Sequence, residues 1–306
     1  MVDQISTYAN YQNSINNILA AQSSLAVQQQ QISSGQIADT YLGLYNNNGA
    51  VDGYIALKEN LQQITNYTNN NHNVLNRLNT MILSMDNVLA MAQGMQKDLT
   101  TRLSTAGDSI QLTNLIRNTY LPTIENSLNI NLEGKYLFSG TATNIEPVVH
   151  LSTTSNVLNG TATSNYYQGN DTILNAQVTD TININYGVTA DNQVFQDLIA
   201  CANNLITADK KNDTKALSES MDTINKIVTD LTSLRSNMAN NTVTINSANT
   251  SFQNQKLTIT QIISEANDTD FPTAMIKASS NTNILMASFK LLNMMSQLTL
   301  VNYIDL

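Results

Sequence analysis

Residues 57–103 read LKENLQQITNYTNNNHNVLNRLNTMILSMDNVLAMAQGMQKDLTTRL, and the spacing inside this stretch decides the fold class. Leu57, Ile64, Asn71, Leu78, Met85, Ala92 and Leu99 recur every seventh residue, with Leu61, Thr68, Leu75, Ile82, Leu89, Gln96 and Leu103 at a companion position. Heptad spacing keeps one stripe of a helix turned toward one neighbour, so the pattern predicts a long helix packed lengthwise on another. From Tyr54 to Leu103 such a helix runs roughly 75 Å at 1.5 Å per residue. A second element of the same kind lies downstream, where Leu217, Ile224, Leu231, Met238, Ile245, Phe252 and Ile259 follow Asp213, a residue suited to cap a helix. Its companion positions, Met221, Val228, Arg235, Thr242, Asn249, Lys256 and Ile263, turn polar in the second half. That decline predicts a seam that is dry at one end and wetter at the other, or polar residues that fix register.

The two ends of the chain carry the same period. Tyr8, Ile15, Gln22 and Gln29 share one seam position near the N-terminus, and Tyr11, Ile18, Leu25 and Ile32 share the other. Near the C-terminus Ile284, Leu291 and Leu298 recur with Ala287, Met294 and Val301 as companions, and Leu285, Phe289, Leu292 and Met295 widen the stripe. Residues 1–45 hold only Asp3 and Asp39 as charged side chains, and Lys58 is the first basic residue. A helix at a solvated surface normally opposes a charged face to its apolar one. Ordering the backbone costs about 1–2 kcal/mol per residue, more than two such seams return by themselves. The ends are therefore expected to meet each other and then further copies of the protein, the alternative being completion of one intramolecular bundle.

Between the long helices the period changes. Ser109 to Leu132 reads as a helix made irregular by Pro122, which lacks a donor and crowds the preceding turn. Phe195, Leu198, Ile199, Ala202, Leu205 and Ile206 form a shorter apolar helix, with Asp191 as its expected cap. From Gly134 to Tyr186 the readings are β-like. Tyr136-Leu137-Phe138 ends at Ser139-Gly140, Asn159-Gly160 is a hairpin signal, and Thr181 to Tyr186 alternates polar with apolar. The expected fold is mainly α: a long antiparallel helical rod with paired N- and C-terminal coiled-coil helices and a small β-rich insert. Its expected divisions are a terminal assembly domain (1–45 with 268–306), a helical rod domain (46–133 with 191–267) and the insert (134–190).

Composition narrows the function. The 306 residues carry a formal charge of -9 with a pI near 4.5, and their 14 Lys and Arg are scattered. Nucleic-acid binding, which needs clustered cations against phosphates, is not expected. Charged residues make up 12% of the chain, about half the usual share, so copies repel each other weakly. Met1 to Ala20 lacks the basic start and apolar run of a cleavable signal. The most apolar stretch, Ile284 to Val301, is interrupted by Ser288, Lys290, Asn293, Ser296, Gln297 and Thr299, so no membrane insertion is expected. Cys201, the single cysteine, reads as a buried structural thiol. His72 and His150 lack partners at metal-ligand spacing, and Asp268 with Asp270 reads as a helix break and cap within Asn267–Pro272. No glycine-rich phosphate loop is present, so no catalytic, cofactor or metal residues are expected.

Several motifs resemble one known family. Gly134-Lys135-Tyr136-Leu137-Phe138-Ser139-Gly140-Thr141, followed by Pro147, is similar to the G-x-YLFSG segment of the flagellar hook-associated protein 3 family, the hook-filament junction proteins of the flagellin superfamily. Gln31-Ile32-Ser33-Ser34-Gly35 resembles that family's motif after its first helix, and Tyr167-Gln168-Gly169-Asn170 its Y-x-G-D turn. Val194-Phe195 sits where the insert returns to helix, and Ser296 to Ile304 looks like the family's C-terminus. The chain departs from the pattern after Gly35, where only Asp39 stands in for an acidic turn before Asn46-Asn47-Asn48-Gly49.

The resemblance implies a structural protein of the bacterial flagellum and not an enzyme. It implies secretion through the flagellar type III export channel and a place at the hook-filament junction. The implied partners are copies of itself in a helical ring, the hook-side junction protein (hook-associated protein 1), flagellin and a flagellar export chaperone. The implied assembly interface is the terminal seams: Tyr8, Tyr11, Ile15, Ile18, Leu25, Ile32, Ile284, Ala287, Leu291, Met294, Leu298 and Val301. Two rival readings share the long heptads: flagellin itself, and a secreted coiled-coil interaction protein such as a translocator or adhesin.

Overall fold

The computed structural model describes residues 2–40, 51–104, 111–149, 151 and 166–304. Among the described residues five long or medium helices dominate: α1 (Val2–Ser34), α2 (Val51–Leu103), α5 (Gln193–Lys210), α6 (Thr214–Asn267) and α7 (Phe271–Ile304). Two short helices, α3 (Leu112–Leu115) and α4 (Leu121–Leu128), follow α2. Two small antiparallel hairpins complete the elements, β1 (Asn131–Leu132) with β2 (Lys135–Tyr136) and β3 (Asn175–Gln177) with β4 (Asn183–Asn185). The fold is mainly α with a small β insert, as the periodicities predict. It divides into two compact units, Met1–Gln62 with Gln255–Leu306, and Gln63–Asn254.

In the second unit α2 and α6 run antiparallel. Asn71 donates to Asn249 Oδ1 at 2.9 Å, Asp86 pairs with Arg235, and Gln96 donates to Asn225 Oδ1 at 2.6 Å, so partner numbers fall on α6 as they rise on α2. Leu78, Met85, Ala92 and Leu99 are fully buried, as are Leu231, Ile224 and Ile245 opposite. The second buried row on α2 is Met81, Val88 and Met95, whereas Ile82, Leu89 and Gln96 of the expected companion row are half-buried. The cause is that α2 has neighbours besides α6. Gly94 faces the Tyr120 ring, Arg102 bonds α5, and Asn71 donates to Val178 O at 3.1 Å. The α6 seam does become wetter: Thr242 is half-buried and Lys256 exposed, and Arg235 is satisfied by Asp86 at 2.5 Å. Tyr67 stacks on Phe252 with ring centroids 5.7 Å apart.

The helix expected over Ser109–Leu132 is broken. Ile116–Tyr120 forms a π-helical stretch between α3 and α4, and Pro122 sits in the first turn of α4. A π turn closes over one extra residue, here with Leu121 N donating to Ile116 O, so the chain enters the proline segment without needing its missing donor. The same stretch presents Tyr120, whose ring lies 2.9 Å from where a Cβ on Gly94 would be and whose hydroxyl donates to Asp98. Gly94 is thus a tolerated weakness in the middle of α2.

Helix α4 stops at Leu128, and Leu132 belongs instead to β1. Glu133 (φ 54°) and Gly134 (φ 77°) make the two-residue turn into β2, both in the left-handed region that such hairpin turns require. Among the residues expected to alternate near β4, Ile184 and Tyr186 are buried but Ile182 is exposed. Asn192, not Asp191, caps α5: its Oδ1 accepts from Val194 N at 3.1 Å, because its backbone occupies the extended position before the first turn. Asp213 does cap α6, accepting from Ala216 N. The Asn159-Gly160 turn, His150 and the Asn46–Gly49 linker lie outside the described residues.

Two of the motifs interlock. Ser139 O accepts from Asn170 N, Thr141 N donates to Asn170 Oδ1 at 2.9 Å, Asn170 Nδ2 donates to Thr141 Oγ1, and Tyr167 OH donates to Asn170 O. Gly140 (φ 66°) leaves no room for a side chain, since a Cβ there would lie 2.3 Å from Asn170 O. Phe138, fully buried, meets Phe195 of α5 edge-on at 6.2 Å, while Ala190 N donates to Phe138 O and Tyr166 OH to Ala190 O. The two segments of this insert therefore hold each other and dock on α5.

At the end of α2, Arg102 Nε donates to Asp209 Oδ1 at 2.8 Å and Nη2 to Asn212 Oδ1, and Thr113 donates from both N and Oγ1 to Asp209 Oδ2. Burial pushes the Asp209 carboxyl up, but the Thr113 and Arg102 hydrogen bonds prevail and hold it below the usual carboxylate value. A carboxyl lowered by folding contributes stability that is whole above its unfolded value, near pH 4, and is lost as pH falls through the folded value. Asp209→Asn should lower the melting temperature at pH 7, and the gap to the parent should shrink below pH 4. A circular dichroism series from pH 7 to pH 2 checks this, and a gap that widens in acid contradicts it.

Leu78→Asp and Leu231→Asp each place a carboxylate where no solvent reaches, which costs several kcal/mol or forces the group neutral. Each should lower the melting temperature by about 10 °C or more. Thr242→Asp, on the wetter part of α6, should do far less. Equal losses at the three sites would contradict the burial gradient.

Candidate assembly interface

In the first unit α1 and α7 lie antiparallel, joined at one end by backbone hydrogen bonds. Gly35, at φ 72°, ends α1 with its N donating to Gln31 O. Beyond it Ile37 N donates to Asn267 O at 2.7 Å and Thr269 N to Gly35 O at 3.0 Å, so the exit of α1 and the entry of α7 are stitched together. Asp270 starts α7: its carboxylate accepts from Thr273 Oγ1 at 2.7 Å and Thr273 N at 3.2 Å. Those bonds hold the Asp270 carboxyl below its ordinary value. The segment Asn267–Pro272 is thus the break and cap its composition predicts.

From this junction the seam runs down both helices. Ile18, Ala21 and Leu285 are buried, with Leu25 and Leu292 packed against them. One turn away the contact is polar: Asn281 Nδ2 donates to Ser24 Oγ at 2.9 Å and to Gln28 Oε1 at 2.7 Å, and Gln28 Nε2 donates to Ser24 Oγ. On α7 the inward positions are Ala274, Ala278, Asn281, Leu285, Ser288 and Leu292, spaced by alternating fours and threes.

The nominated residues divide between the two faces. Ile18 is buried against α7, and Ile15, Leu25 and Ile32 are half-buried on the same side, while Tyr11 is exposed. Ile284, Ala287, Leu291 and Met294 all point away from α1, with Leu291 55% exposed and Met294 53%. Tyr8 lies in α1 and Leu298 and Val301 in α7, but their side chains fall outside the described ones. The stripe read as the C-terminal seam is therefore the outward one. Helix α7 is apolar on most sides, so its period alone could not choose which stripe faces α1. The polar residues do choose: Ser24 and Gln28 inside the α1 seam require a polar partner, and Asn281 answers them.

The outward face of α7 extends the apolar row. Phe271, Met275, Ile276, Met286 and Phe289 are exposed beside Ile284, Leu291 and Met294, with Leu19 and Val27 exposed on α1. The face is almost without charge, Lys277 and Lys290 being the only charged residues of α7.

Among the described residues no cluster of His, Cys, Asp and Glu could hold a metal, and no helix is long and apolar enough to cross a membrane. His72 is exposed on α2. Cys201 is buried, and burial, with the nearby Asp197 charge, pushes its thiol up to about 12.

Solved structures share this fold, two of them as follows. One, a protein of Vibrio parahaemolyticus described as flagellar hook-associated, superposes with a TM-score of 0.56 at 16% identity, covering 75% of this chain and 99% of its own. The other, FlgL of Bacillus cereus, gives a TM-score of 0.51 at 15% identity over 64% of this chain and 98% of its own. No family model matches the chain and no curated protein does. What the chain has in common with these two proteins is its fold.

Proposed function

We propose that the protein is a structural subunit of the bacterial flagellum, an adaptor at the junction between the hook-side junction protein and the flagellin filament. The observation that carries this reading is the uncovered apolar face of α7 on a helix already paired with α1, in a fold shared with two flagellar proteins. The YLFSG and Tyr167–Asn170 motifs, interlocked in the insert, add to it. In this reading residues 1–45 with 268–306 form the terminal assembly domain, residues 46–133 with 191–267 the helical rod domain, and residues 134–190 the small β-rich insert domain.

The outward residues Ile284, Ala287, Leu291 and Met294 then meet neighbouring copies in a helical ring, together with Tyr11 and the seam positions Tyr8, Leu298 and Val301. Ile15, Ile18, Leu25 and Ile32 hold α1 in place beneath them. Hook-associated protein 1 lies on one side and flagellin on the other, and an export chaperone covers the apolar face before secretion. The role is structural, with burial of side chains as its chemistry.

A strain lacking the protein should release flagellin into the medium and build no long filaments, since the export path stays open while the adaptor is missing. Normal filaments in that strain would overturn the proposal, and antibody labelling along the whole filament would assign the protein to the filament itself.

Leu291→Asp should leave the purified chain's melting temperature within about 2 °C of the parent, because the residue is already solvated. It should nevertheless abolish incorporation into flagella. Leu285→Asp, in the buried seam, should disrupt the α1–α7 pair as well. Incorporation of the Leu291 variant at parental levels would contradict the interface.

A further inference from the structure

The chain holds 11 methionines, and their burial divides by element. Met81, Met85, Met95 and Met238 are buried in the second unit, and Met91 and Met221 are half-buried against the same core. On α7 the pattern reverses, for Met275, Met286 and Met294 are 52%, 59% and 53% exposed. Among the described side chains these are the only exposed methionines. Met275 and Met286 stand three full helical turns apart on one side of α7. Each has an exposed phenylalanine on an adjoining turn, Phe271 before the first and Phe289 after the second, a spacing at which sulfur and ring can meet. Met294 follows the exposed Leu291 by one turn. Cys201 does not compete for oxidants, being buried with its thiol pushed up to about 12.

We propose that the thioethers of Met275, Met286 and Met294 are the chain's oxidation-sensitive sites, converted to sulfoxides by hydrogen peroxide while α7 is uncovered, and that the conversion blocks the joining of further copies. In each conversion one peroxide oxygen forms a bond to Sδ, the O–O bond breaks and the remainder leaves as water. The sulfur gives up two electrons, the peroxide takes them, and no proton is left over. The product is polar where the thioether was apolar, and it carries a strong acceptor oxygen into a surface that works by burial. The blocking step rests on the assembly reading, in which a second copy covers this face. A covered face also shields Sδ, so the sites are open only before the chain has joined.

The full-length protein is treated with hydrogen peroxide and mapped over time by peptide mass spectrometry. Met275, Met286 and Met294 should gain one oxygen at least about tenfold faster than Met81, Met85 and Met95. The treated chain should join hooks isolated from a strain lacking the protein about tenfold less well than the untreated chain, and methionine sulfoxide reductases should restore it. Its melting temperature should stay within about 2 °C of the untreated value, since the oxidised side chains are already solvated. In the variant Met275→Leu, Met286→Leu, Met294→Leu, the ratio of treated to untreated joining should stay within about twofold of unity, whatever the untreated level. Equal oxidation of buried and exposed methionines, full joining by the oxidised parent, or the parent's loss repeated in the variant would each overturn the proposal. Failure of the assembly reading shows differently, because the untreated parent itself then does not join.

Discussion

Leu78, Met85, Ala92 and Leu99 put a fully buried stripe along α2, and the second unit is arranged around covering it. Because the covering helix α6 is antiparallel and lies well over a hundred residues later in sequence, everything between must fit into the return path. The π-helical turn, the two hairpins and α5 fill it, and three of these have a specific hold on α2: Tyr120 at Gly94, Asp209 at Arg102 and Val178, in the β3–β4 hairpin, at Asn71. A helix pair alone would bury one seam. The extra neighbours explain why the stripe is wide enough to include Met81, Val88 and Met95.

The first unit is built on a different balance. Its seam is short of apolar side chains and uses Asn281, Ser24 and Gln28 where a dry seam would use leucine. Polar contacts at a seam favour one register over others at some cost in stability. Meanwhile Ile284, Met286, Phe289, Leu291 and Met294 of α7 are exposed, while Leu285 and Leu292 pack inward.

Much of this architecture was legible in the sequence, and the errors follow from identifiable causes. The rows through Leu78 and Leu231 were unambiguous because polar residues flank them. The break and cap at Asn267–Pro272 followed from residue chemistry. On α7 the period could be read in two frames, since Ile284 and Leu285 are adjacent and both apolar; only the demand of Gln28 for a partner separates them. The β1–β2 turn was missed although Glu133-Gly134 permits left-handed backbone, because the preceding residues continue a helical pattern.

Cys201 carries one further consequence. Its sulfur is enclosed by α5 and α6, 3.9 Å from Ser220 O, and its thiol is pushed far above neutral pH. Thiolate, the form that alkylates and oxidises, is therefore scarce there. The native chain is in effect blank to thiol reagents. A cysteine introduced at an exposed position becomes a unique attachment point for a dye, spin label or cross-linker, with no need to remove the natural one.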